Sequence, residues 1–67
     1  MKIEKGIYIK TSTRWGEKYG RVIGVHPSIP CGWDVVLQGS YEFVPFFKNE
    51  MEEVTKEEYE AALVMNS

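Results

Sequence analysis

The stretch "KGIYIKTSTRWGEKYGRVIGVHP", residues 5–27, decides the fold. At its start Ile7 and Ile9 alternate with Tyr8 and Lys10. That period of two marks a half-buried strand, because successive strand side chains point to opposite faces. The polar cluster Thr11, Ser12, Thr13 is expected to end this strand, and "RWGEKYG", with glycines at 16 and 20, reads as a long loop. "RVIGVH" then resumes a β-branched run that stops at Pro27. The expected unit is an antiparallel hairpin whose loop is basic and aromatic.

Outward from the hairpin, "PSIPCG" holds two prolines and a glycine within six residues and marks a second loop. "WDVVLQ" follows as a strand with Trp33, Val35 and Leu37 on one face and Asp34, Val36 and Gln38 on the other. Gly39 and Ser40 signal a turn into "YEFVPFF", whose Pro45 lacks an N–H and so belongs at a sheet edge or a bulge. "EMEEV" is expected to be a last short strand with Met51 and Val54 pointing inward. A helix should begin at Thr55: Glu58 three residues on completes a capping box, and Val54 can staple to Tyr59. Tyr59, Ala62 and Leu63 then share the helix face that packs on the sheet.

Sixty-seven residues make a single domain over 1–67, since a chain this short buries only about 60% of its unfolded surface and has no material for a second core. With 43% hydrophobic and 13% aromatic residues it is too apolar to be disordered. Cys31 is the only cysteine, so no disulfide or multi-cysteine metal site forms within one chain, and no metal or cofactor is expected. No run approaches a membrane span or a cleavable signal, which points to a cytoplasmic protein with no membrane partner. The net charge of −2 divides unevenly. Lys2, Lys5, Lys10, Arg14, Lys18 and Arg21 against Glu4 and Glu17 give the first 33 residues +4, and the remainder carries −6.

"GIYIKTSTRWGEKYGRV" resembles the KOW-type version of the SH3-like barrel, in which a glycine precedes the first strand, an irregular loop follows and a glycine leads into the second strand. Gly6, Gly16, Gly20 and Val22 stand at the matching places, and "NEMEEVT" is similar to the acidic, apolar, acidic segment that closes that barrel. The resemblance covers residues 4–55. It implies a mainly β protein: a five-stranded SH3-like barrel with a short C-terminal α-helix over about 56–65. Such barrels host many unrelated activities. "STRWGEKYGRVIGVH" and "PFFKNEMEEV" are also similar to segments of the plasmid-encoded, trimethoprim-resistant dihydrofolate reductases, homotetramers with a central active-site pore. That family's Val-Gln-Ile-Tyr run is replaced here by Phe43, Val44, Pro45 and Phe46, so the resemblance carries the fold and not the activity. The length, the single cysteine and the helical tail resemble the small accessory proteins of phages and mobile elements, among them anti-CRISPR proteins, several of which inhibit host machinery.

Arg14, Trp15, Lys18, Tyr19 and Arg21 form the main candidate site. Trp15 either caps the open end of the barrel or stands out as an anchor, and Trp, Tyr and Arg are the residue types enriched at binding hot spots. The same set could stack on bases while Lys18 and Arg21 contact phosphates, giving a KOW-like nucleic-acid binder built on residues 10–21. Overall acidity opposes binding to a polyanion, so a host protein is the expected partner, bound by a monomer or small homo-oligomer. The glutamates at 52, 53, 57 and 60 are either a solvated edge and helix start or an acidic surface that imitates phosphate, namely Glu52, Glu53, Glu57 and Glu60. His26 and Cys31 lack a third residue to orient the imidazole; they are expected as a strand-end histidine and a small buried thiol. No residue set supplies a base, a nucleophile and oxyanion donors together, so a non-enzymatic binding module is expected. The aromatics Tyr8, Trp33, Tyr41, Phe43, Phe46 and Phe47 exceed what so small a barrel can bury, and the helix, through Tyr59 and Leu63, is expected to cover one face.

Overall fold

A computed structural model describes residues 2–65. Five strands, β1 (Tyr8–Thr13), β2 (Gly16–Val25), β3 (Gly32–Leu37), β4 (Phe43–Phe47) and β5 (Met51–Val54), precede helix α1 (Lys56–Met65). A single 3₁₀ turn over Lys48–Glu50 joins β4 to β5. All strand pairs are antiparallel, in the order β4-β3-β2-β1-β5. The expected closure into a barrel is not completed by hydrogen bonding: β4 and β5 are the two edges of one open sheet. Pro45 lies on the β4 edge, where a missing N–H is tolerated.

The long loop expected at residues 14–20 is absent. β1 continues through the Thr-Ser-Thr cluster and pairs in register with β2 from Tyr8↔Arg21 to Thr13↔Gly16, leaving Arg14 and Trp15 as a two-residue turn. The threonines stay in the strand because Thr11 faces the core. It is 3% exposed, and its hydroxyl donates to the Glu50 carbonyl at 2.6 Å, so the buried oxygen is satisfied.

Ile9, Val22 and Val35, all fully buried, form the centre of the core with Ile3 and Met51, and Trp33, Leu37 and Phe46 pack against it. Gly20 sits opposite Leu37 on this inner face, where a Cβ would lie 2.7 Å from Val35 Cγ1 and 2.8 Å from the Val36 carbonyl oxygen. β5 explains the spacing of its two apolar residues differently from the expectation. Met51 pairs with Thr11 and joins the core face, whereas Val54 pairs with Tyr8 on the opposite face, where the Tyr59 ring of α1 lies 4.6 Å from that of Tyr8.

The helix begins as expected, with Glu58 N–H donating to Thr55 Oγ1 at 3.1 Å. It rests mainly on β1 and β2, burying Ala62 but leaving Leu63 47% exposed, so Leu63 does not belong to the packing stripe. The aromatic residues of β4 are therefore not covered as expected. Phe43 and Phe47 remain exposed on its outer face, while Phe46 turns inward. Cys31, expected to be buried, is exposed and adopts φ +62 at the corner leading into β3. No helix among the described residues is long and apolar enough to cross a membrane.

Candidate functional site

The hairpin tip is built by Thr13. Its hydroxyl donates to the Gly16 carbonyl at 2.8 Å and accepts the Trp15 N–H at 3.1 Å, so one side chain ties both ends of the turn. Cys31 alone among the described non-glycine residues has a positive φ, so Arg14 and Trp15 are both at negative φ, which excludes the mirror-image hairpin turns. Gly16, at φ +102, supplies the left-handed residue that lets the strands pair beyond an ordinary turn. On this braced turn Trp15 is 77% exposed, with the Arg14 guanidinium 5.5 Å from the indole centroid. The indole therefore does not cap the sheet.

The register divides the remaining expected residues. Lys18 pairs with Thr11 and lies on the inner face, beyond the core. Tyr19 pairs with Lys10 and Arg21 with Tyr8, both on the helix-bearing face. Arg14 and Trp15 are thus together at the tip, and Lys18 and Arg21 point to opposite sides of β2. Lys18 and Arg21 therefore do not share one basic stripe of the kind that tracks a phosphate backbone. The acidic set is divided as well: Glu52 pairs with Lys10 and Glu53 with Ile9, on opposite faces of β5, while Glu57 and Glu60 lie on α1.

On the helix-bearing face the structure assembles a cluster that period-two reading does not reveal. The Lys10 ammonium lies 3.8 Å from both Glu52 and Glu17. Those two carboxylates, Glu52 foremost, hold the Lys10 pKa above the usual lysine value. Beside it the Tyr19 hydroxyl donates to Glu58 Oε2 at 3.4 Å. Glu17, Tyr19 and Glu58, with Ala61, Ala62 and Met65, line an open groove of about 400 Å³ between α1 and the hairpin. The sequence signal for Glu58 was its capping position. In the structure its backbone N–H makes that cap, and its carboxylate accepts the Tyr19 hydroxyl.

His26 is held through one ring nitrogen, and its other faces Asp34 beyond hydrogen-bond distance. Nδ1 accepts the N–H groups of Ser28 at 3.0 Å and Ile29 at 3.1 Å, which places the proton on Nε2, 3.9 Å from the Asp34 carboxylate. An imidazole held in this way braces its loop, and Nδ1 is not available to activate the Cys31 thiol. Among the described residues no group of three or more His, Cys, Asp or Glu side chains has the arrangement of a metal site. No protein-family model matches the chain, and neither curated proteins nor solved structures give a significant match.

Proposed function

We propose that this chain is a non-catalytic binding module that engages a protein partner through the tip of its first hairpin. The observation that carries this is Trp15, a large rigid side chain 77% exposed on a turn braced by Thr13. A turn whose backbone is already braced loses less conformational freedom on association, and Trp and Arg are residue types enriched at interface hot spots. The meander β4-β3-β2-β1 with β5 returning to β1 supports an open variant of the SH3-like, KOW-type barrel. A protein is favoured over nucleic acid because Lys18 and Arg21 diverge, Lys10 is paired with carboxylates, and the chain carries a net −2. The partner is a host protein that the module modulates or inhibits, in the manner of the phage and mobile-element accessory proteins whose size and composition this chain resembles.

The test is affinity capture from bacterial lysate, with and without nuclease, using the wild type and Trp15→Ala. The expected result is a discrete protein that survives nuclease and is lost with the variant. Trp15→Ala should leave stability within about 0.5 kcal/mol, as for other exposed positions. Recovery that vanishes on nuclease treatment would replace this proposal with the nucleic-acid one, and an unchanged capture by Trp15→Ala would remove the tip from the site.

A further inference from the structure

The groove between α1 and the hairpin has the chemistry of a receptor for one cationic side chain. Its apolar lining is Ala61, Ala62 and Met65, of which Ala62 is buried and Ala61 and Met65 are exposed. A volume of about 400 Å³ falls within the usual range of ligand pockets, about 300–1,000 Å³. Its polar walls are Glu17, Tyr19 and Glu58, and no basic side chain lines it.

The charges around it do not cancel. Lys10 stands 3.8 Å from Glu17 and from Glu52 and acts more weakly on Glu58, so one ammonium faces three carboxylates, and no ion pair within 4.0 Å engages Glu58 among the described residues. The Glu58 carboxylate accepts the Tyr19 hydroxyl at the long distance of 3.4 Å, while it is the backbone N–H of Glu58 that meets Thr55 at the helix cap. An acidic oxygen pair beside a phenol ring, above an alanine and methionine floor, matches a guanidinium on an alkyl stem. The stem lies on apolar surface, the planar fork meets a carboxylate with two parallel hydrogen bonds, and its face stacks on an aromatic ring. An ammonium presents a compact, strongly hydrated charge and uses neither the fork nor the ring in this way.

We propose that this groove receives an arginine side chain presented by the protein partner, a deepening that rests on the protein-binding proposal above. It adds a second contact behind the Trp15 tip, on the helix-bearing face.

The test is a methyl and amide NMR titration of the full chain with the capped peptide Gly-Ala-Arg-Ala-Gly, and with the same peptide carrying citrulline or lysine in place of arginine. Citrulline keeps the shape and removes the charge. Saturable shifts of the Ala61, Ala62 and Met65 methyls are expected with the arginine peptide alone. Glu58→Gln should weaken them about tenfold, as for loss of one charged hydrogen-bonding partner. Ala61→Leu, which fills the floor while keeping a good helix former, should abolish them. Trp15→Ala should leave them unchanged, so a failure at the tip and a failure of the groove are read separately. The absence of saturation, equal shifts with citrulline or lysine, or indifference to Glu58→Gln would overturn the proposal. Shifts at Ala61 and Met65 that grow with protein concentration alone would assign the groove to Arg14 of a second copy, and would equally overturn it.

Discussion

Replacing Gly20 by alanine should destabilise the domain, although the residue lies in a strand, where glycine is ordinarily a weakness. A Cβ at this position would lie 2.7 Å from Val35 Cγ1, 2.8 Å from the Val36 carbonyl oxygen and 3.0 Å from Leu37 Cδ2. Ordinary close carbon-to-oxygen contacts between strands are about 3.3 Å or longer, so relief requires a separation of roughly half an ångström. The oxygen belongs to the backbone of β3, and Val35 is fully buried, so neither can swing aside. Overpacking of this kind costs about 1–3 kcal/mol, while removing a strand glycine returns about 0.5–1 kcal/mol. The two ranges net to a loss of about 0–2.5 kcal/mol, centred near 1 kcal/mol, out of the roughly 3–5 kcal/mol that a domain of this size commands. At that centre Tm falls by about 4–8 °C, and the urea midpoint should fall with little change in slope. Thermal and urea unfolding, followed by circular dichroism, measure both. Gly16→Ala is the contrasting variant, because nothing lies within 4 Å of its added Cβ and any loss there arises from φ +102 alone. A Gly20→Ala variant melting at or above wild type would refute the close approach of β2 and β3.

His26→Ala should cost about 1 kcal/mol by leaving the Ser28 and Ile29 N–H groups without their acceptor. His26→Asn should recover most of it, because Oδ1 stands two bonds from Cβ as Nδ1 does; an asparagine variant no more stable than alanine would show that the ring, and not the acceptor, braces the loop. The raised pKa of Lys10 means that the folded state holds this proton more tightly than the unfolded chain. Its contribution is therefore complete below the free-lysine value of about 10.4 and is lost as pH rises through the higher folded value. Lys10→Met should accordingly lose less stability than the wild type between pH 9 and pH 12 in urea titrations, and identical alkaline profiles would show that Glu52 and Glu17 do not act on Lys10 in this way.

Where local chemistry and pattern agree, the chain is readable from its residues. Ile9 between Tyr8 and Lys10 marks β1, although Ile7 falls just before it; Trp33, Val35 and Leu37 mark the inner face of β3, and Pro45 marks an edge. Thr55 starts the helix because a hydroxyl there satisfies an N–H that has no partner within the helix. The errors share one cause. Composition alone reads Thr11–Thr13 as a strand end and 14–20 as a loop, but Thr11 gains a buried partner in the Glu50 carbonyl, and Gly20 fits where two strands approach too closely for any side chain. Both facts depend on segments distant in the chain. Leu63 and Cys31 are further cases: apolar character favours burial, yet burial needs a surface to pack on, and α1 presents Ala62 to the sheet instead.

The candidate site divides along the same line. The types and order of Arg14, Trp15 and Gly16 are local, so the sequence by itself determined that a tryptophan and an arginine stand beside a turn glycine. Whether that indole is covered or exposed was decided by the pairing of Thr13 with Gly16, which shortens the loop to two residues and carries the tip away from the core. The separation of Lys18 from Arg21 follows once β2 is known to be a strand there, since period two then puts them on opposite faces. The gathering of Lys10, Glu17, Glu52, Tyr19 and Glu58 belongs to the tertiary structure alone. It depends on the register of two strand pairs and on the seat of the helix, and no short window of sequence contains the energies that choose among registers.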